Sequence, residues 1–184
     1  MSIRGCRIRD QKAIHFITFA VVGWVDVFTR NIYRNIVVDS IKHCLFQKGL
    51  NLHAWCLMTN HIHLMASSKD NNLSDILRDF KKFTSREIIK AIENNLRESR
   101  RSWMLRVFRE HGALNPRNDG NQFWRQDNHP EVCFGAAFTT QKINYIHRNP
   151  VAAGIVDKAH EYLYSSARDY FYMKNCGLLD IAFI

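Results

Sequence analysis

The sequence predicts an α+β fold, and three observations lead to it. Residues 52–67, Leu-His-Ala-Trp-Cys-Leu-Met-Thr-Asn-His-Ile-His-Leu-Met-Ala-Ser, read as two apolar strand-like runs joined at Thr59 and Asn60, a β-hairpin. Residues 13–28 are rich in β-branched and aromatic types and short of helix formers, which predicts a buried strand over about 14–21. Two long segments, 29–48 and 73–92, instead repeat their apolar residues at helical spacing.

Taken in order, the first strand ends at Gly23 and Trp24. Thr29 then stands as N-cap of a helix to Lys48, with Ile32, Ile36, Val37, Ile41 and Leu45 on its core face and Gly49 as the C′ residue that stops it. After the hairpin, Lys69 to Asn72 form a polar turn. The second helix follows, with Leu73, Ile76, Leu77, Phe80, Phe83, Ile88, Ile89 and Ile92 on one face. Trp103, Met104, Leu105, Val107 and Phe108 indicate a further short helix. Asn115 to Asn121 is dense in turn formers and reads as an exposed loop. Phe123 to Arg125 read as a short strand, with a break at Asp127 to Pro130. A helix beginning between Gly135 and Thr139 should end at Asn149, because Pro150 disfavours the α conformation in the residue before it; a turn through Gly154 follows. Glu161 to Met173, with five aromatic residues, is expected to close the fold as a helix packed on the sheet.

At 184 residues and 46% hydrophobic content, the chain suits one well-buried core, so 1–184 is read as a single domain. No stretch approaches the roughly 20 apolar residues that span a bilayer, and residues 1–10 lack the apolar core of a signal peptide. Five cysteines, Cys6, Cys44, Cys56, Cys133 and Cys176, form no CxxC pair, which argues against a disulfide framework or a zinc ribbon and suits a cytoplasmic setting. The net charge of +9 favours a polyanionic partner. Ten basic residues against five acidic ones lie between Arg78 and Glu110, and Arg78, Lys81, Lys82 and Arg86 of the second helix are read as a face that contacts a nucleic-acid backbone.

The chemistry is concentrated in the hairpin and the helix before Pro150. Side chains alternate along a strand with period two, so His61 and His63 point to one face and Ile62 and Leu64 to the other. Two imidazoles side by side supply half of a divalent-metal site. Tyr145 and Asn149, four residues apart, share one helix face and can offer a nucleophilic hydroxyl and an amide oxygen acceptable to Mg²⁺ or Mn²⁺. His147, two residues after Tyr145, should point away from that face, to the surface or to phosphate; His53 and His129 have no assigned place.

Met58-Thr-Asn-His-Ile-His-Leu64 and, some eighty residues later, Tyr145-Ile-His-Arg-Asn-Pro-Val-Ala-Ala-Gly154 together resemble the single-tyrosine HUH transposases of the insertion-sequence 200/605 family, in particular the REP-associated tyrosine transposases. The resemblance runs from the first strand to about Tyr170. It implies a central antiparallel sheet with helices packed on it, of the ferredoxin-like or RRM-like HUH endonuclease type. It also implies an enzyme that nicks and rejoins single-stranded DNA beside hairpins through a covalent 5′-phosphotyrosine. His61 and His63 then become metal ligands, Tyr145 the nucleophile, and Asn149 the third ligand where the better-known insertion-sequence members carry Gln. Members of that branch work as dimers with shared sites, so a homodimer in which Tyr145 serves a partner's metal and a chain that serves its own are both compatible with the resemblance. A domesticated relative that binds hairpin DNA without cutting it is the alternative; a metal hydrolase acting on small molecules would leave the charge unexplained.

Overall fold

The structure, a computed structural model, describes residues 8–115, 120–126 and 130–184. A four-stranded antiparallel sheet in the order β2-β3-β1-β4 is formed by β1 (His15–Ala20), β2 (Leu50–Leu57), β3 (His61–Ser68) and β4 (Glu131–Val132). Its helices are α1 (Asn31–Gln47), α2 (Leu73–Asn94), α3 (Arg101–Ala113), α4 (Gly135–Ala152) and α5 (Ala167–Tyr172). The expected α+β architecture with a central antiparallel sheet is therefore present.

The sheet divides the helices between two layers. Cross-strand partners share a face, and the register pairs Phe19 with Ile62 and Ile17 with Leu64 on one face, and Thr18 with His63 and Ala20 with His61 on the other. On the first face Phe19 stacks on Phe80 of α2, and α2 packs along α1. Phe28, Phe123 and Trp124 extend that aromatic cluster. Burying Phe19 completely there is worth roughly 1.5–3 kcal/mol. On the second face, to which the register assigns Ala54 and Cys56 of β2, α4 lies over β2 and β3.

The N-cap expected at Thr29 falls one residue later, at Arg30, and α1 begins at Asn31. Thr29 Oγ1 donates to the Asp26 carbonyl instead of capping, inside a short 3₁₀ turn (Val27–Thr29). Gly49 ends α1 as expected, at φ +69. The two strands of the hairpin are Leu50–Leu57 and His61–Ser68, with a bulge at His53 and a turn closed by Met58 N–H donating to the His61 carbonyl. Of the residues placed on the core face of the second helix, Phe83 is instead exposed, with Arg86 over its ring.

Three expectations along the second half require correction. The helix does not stop at Asn149 but runs through Pro150 to Ala152. Pro150 is buried in the last turn, where its missing N–H forfeits a single bond, and the end is closed by Ala153 N–H to Asn149 O, Gly154 N–H to Val151 O and Ile155 N–H to Pro150 O. The expected helix over 161–173 is split: a 3₁₀ turn (Ala159–Glu161) precedes a turn-rich segment, 162–166, with an isolated bridge from Ser165 to Cys56, and α5 follows. This segment covers the outer edge of β2, with Leu57 N–H donating to Tyr164 O, Ser166 N–H to Trp55 O and Trp55 N–H to Ser166 Oγ. Satisfying an open strand edge outweighs local helix preference there. Residues 123–125 form an isolated bridge, Val21 to Trp124, rather than a strand, and the edge strand beside β1 is β4, which the sequence reading passed over. Residues 116–119 of the expected loop, 127–129 of the expected break with His129, and Cys6 lie outside the described residues. Among the described residues Cys44, Cys56, Cys133 and Cys176 are free thiols, and no helix is long and apolar enough to cross a membrane.

Candidate active site

The second face of the sheet carries the candidate site. His61 and His63 project from β3 with ring centroids 4.7 Å apart. Each ring is held by its Nδ1. His61 Nδ1 donates to Asn60 Oδ1 at 2.7 Å, and that amide is oriented by its own Nδ2, which donates to the Trp24 carbonyl. His63 Nδ1 is hydrogen-bonded to Thr18 Oγ1 at 2.8 Å, across the β1–β3 register. With Nδ1 engaged, Nε2 of each ring is the nitrogen available to a cation, the arrangement in which outer-shell partners set tautomer and ring orientation.

His63 is only 4% exposed, and its Nε2 is buried with no hydrogen-bond partner among the described residues. A buried nitrogen left in this way is costly unless something occupies its lone pair. Burial, with added repulsion from His61 and Lys142, pushes the His63 pKa down to about 3 against a raising contribution from the Asn149 amide, and burial lowers that of His61. Both rings are thus held neutral, the form that ligates.

From the opposing layer, α4 brings Tyr145 and Asn149 onto the same place. The Tyr145 ring lies 5.3 Å from that of His63 and edge-on to Phe16 at 5.8 Å, while the residue remains 51% exposed. Asn149 Nδ2 donates to the Tyr145 carbonyl at 2.8 Å, which leaves Oδ1 for a cation or for His63. Lys142, one turn earlier, donates to Glu131 of β4 at 2.9 Å and sits over the Phe16 ring at 4.4 Å, tying the helix that carries Tyr145 to the sheet. His61, His63, Tyr145 and Asn149 therefore converge within one chain. Among the described residues no three of His, Cys, Asp and Glu cluster; the protein donors that this site offers a cation are the two imidazoles and the Asn149 amide oxygen.

Residues 13–111, just over half of the chain, match the family described as Transposase IS200 like. The chain belongs to this transposase family. The matched stretch contains His61 and His63 but ends before Tyr145 and Asn149, whose place beside the histidines comes from the tertiary structure. The fold is similar over 99% of this transposase to a REP-associated tyrosine transposase solved bound to a REP hairpin, with a TM-score of 0.59, 14% identity and 96% of that chain covered. A putative transposase from Deinococcus radiodurans R1 gives a TM-score of 0.45 at 18% identity, over 79% of this chain and 95% of that one. No curated protein matches the chain.

Arg78, Lys81, Lys82 and Arg86 of the transposase lie on α2, in the layer opposite the histidines, and the fold does not bring them to the tyrosine side. Arg78 pairs with Asp75 and Asp79, and Arg86 with Glu87. Lys81 donates to the Arg125 carbonyl, and with Lys82, Arg86 and Lys90 it borders a groove of about 660 Å³ against residues 121–124.

The sequence reading missed Thr18 and Asn60. Asn60 reads in the sequence only as a turn residue although it adjoins His61, and Thr18 is set by a strand register that no local pattern encodes. His53 is structural: its Nδ1 donates to the Ala182 carbonyl and its Nε2 accepts from Ser67. His147 is neither at the surface nor available to phosphate. It is 8% exposed, with Nε2 hydrogen-bonded to Ser166, because the stretch that covers the β2 edge closes over that side of α4. Burial pushes its pKa down to about 4. The unfolded chain takes up a proton here below its ordinary value of about 6.5 while the folded chain does not, so stability falls with pH between about 6.5 and 4, by up to about 3 kcal/mol from this residue. Urea denaturation at a series of pH values should show a shallower acid loss for His147→Gln; an unchanged slope would contradict the assignment.

Proposed function

We propose that the chain is a metal-dependent transposase that nicks and rejoins single-stranded DNA beside a hairpin through a covalent bond to Tyr145. The observation that carries this reading is the convergence, in one chain, of an exposed tyrosine with two oriented, neutral histidines and an amide. His61, His63 and Asn149 would hold a Mg²⁺ or Mn²⁺ ion, and when bound it would withdraw charge from a phosphate oxygen. The chain's own residues account for the rest. The Tyr145 hydroxyl attacks phosphorus, a bond from its oxygen to phosphorus forms, the bond from phosphorus to the 3′ oxygen breaks, and the proton lost by the tyrosine is balanced by the one gained by the 3′ hydroxyl. One phosphate ester replaces another, so the step should reverse without ATP.

The hairpin is proposed as substrate from family membership and from the REP hairpin bound by the structural neighbour. A nicking assay on single-stranded hairpin DNA with Mn²⁺ tests the reading, with a labelled protein adduct on a denaturing gel as the expected result and hydrolysed ends that cannot be rejoined as the contrary one.

The basic face of α2 is proposed to hold DNA backbone leading away from the site. Arg125 links the two layers, since its carbonyl receives Lys81 and its guanidinium lies over the Trp24 ring, which in turn adjoins His61. If Arg78, Lys81, Lys82 and Arg86 each neutralise a phosphate of a single strand, log K should fall against log salt with a slope of roughly −3. Lys82→Ala with Arg86→Ala should flatten it by about 1.4, and an unchanged slope would return these charges to a solvated face.

A further inference from the structure

The indole of Trp24 is held firmly without being buried. It is 56% exposed, yet its backbone is left-handed at φ +54, a conformation bulky side chains rarely adopt. The preceding Gly23 is also left-handed, at φ +61, and packs so closely on α3 that a Cβ there would stand 2.9 Å from Val107 Cγ1. Trp24 N–H donates to the Val21 carbonyl, and its own carbonyl accepts from Asn60, the residue that also orients His61. The indole therefore stands edge-on to His61, ring centroids 6.3 Å apart, with the Arg125 guanidinium 5.2 Å from its centroid. Beside it opens a cleft of about 560 Å³ whose walls include Val22, His111, Leu114, Arg125 and Gln126.

Core packing does not explain a strained residue that leaves more than half of its surface in water. An exposed aromatic plane with a cation above it, touching one proposed metal ligand, has the chemistry of a base-stacking platform: the ring offers a π face, and the guanidinium can meet the neighbouring phosphate. We propose that Trp24 and this cleft seat an unpaired nucleobase of single-stranded DNA next to the phosphate that Tyr145 attacks. This rests on the function proposed above, and adds the group that would set the strand's position over His61.

The test separates binding from cleavage by working in a Tyr145→Phe chain. The probe is a DNA hairpin with an oligothymidine single-stranded tail, compared with the same hairpin whose tail carries abasic sites. Tyr145→Phe should prefer the thymidine tail roughly 10- to 100-fold. Adding Trp24→Gly, which suits φ +54 and keeps the turn foldable, should abolish that preference, read as the ratio of the two affinities. Trp24→Phe should retain most of it. Equal preference with and without the indole would overturn the proposal, as would a phenylalanine variant as indifferent as the glycine one. A wild-type chain that forms no tyrosine adduct on hairpin DNA with Mn²⁺ would overturn the cleavage chemistry instead, a result read in a different assay.

Discussion

Tyr145→Phe is expected to bind hairpin DNA within a few-fold of wild type and to form no covalent adduct, with cleavage reduced by at least about 10⁴-fold, the order of loss seen when an enzyme loses its nucleophile. The substitution removes one oxygen from a half-exposed ring whose aromatic contacts, to Phe16 and His63, involve the ring rather than the hydroxyl. Fold and packing should therefore persist. Wild type incubated with a second strand bearing a free 3′ hydroxyl should release the adduct and yield a joined product. A denaturing gel showing the adduct at full strength in Tyr145→Phe would remove the residue from the mechanism.

The second large effect is expected at His63. His63→Ala should abolish adduct formation, and EDTA should do the same to the wild type without disturbing a side chain, with recovery on adding Mn²⁺. Comparing the two separates lost ligation from lost packing, since the His63 ring also stacks on Phe16. The lowered pKa values of both histidines give a signed pH dependence. Protons compete for the imidazoles only below their folded pKa, and both lie below the ordinary value of about 6.5, His63 at about 3. Apparent Mn²⁺ affinity should therefore stay flat from pH 8 down to about 6.5 and weaken only at lower pH. Affinity already falling between pH 8 and 7, or cleavage undiminished in EDTA, would contradict the ligand assignment.

Much of the fold was legible because it is written in short-range periodicity. The alternation along 61–64 separates His61 and His63 from Ile62 and Leu64, and the cross-strand pairs agree. The spacing of Tyr145 and Asn149 gives them one helix face, and the structure joins them by a hydrogen bond. The failures share a different cause. Pro150 is carried inside α4, residues 162–166 leave the helical state to cover the β2 edge, and His147 is buried against Ser166. In each case a distant part of the chain supplied burial or hydrogen bonds that outweighed the local preference.

The sequence by itself determined the period-two and period-3.6 faces, the pairing of two histidines on a strand and of Tyr145 with Asn149 on a helix, and the excess of positive charge, because each depends only on backbone geometry over a few residues or on composition. The tertiary structure alone decided that Thr18 and Asn60 orient the imidazoles, that the Tyr145 ring lies beside that of His63, that the basic face of α2 lies in the opposite layer, and that Trp24 stands beside His61. Strand register and helix docking follow from burying apolar faces and satisfying strand edges across long separations in sequence, and no local pattern carries that information.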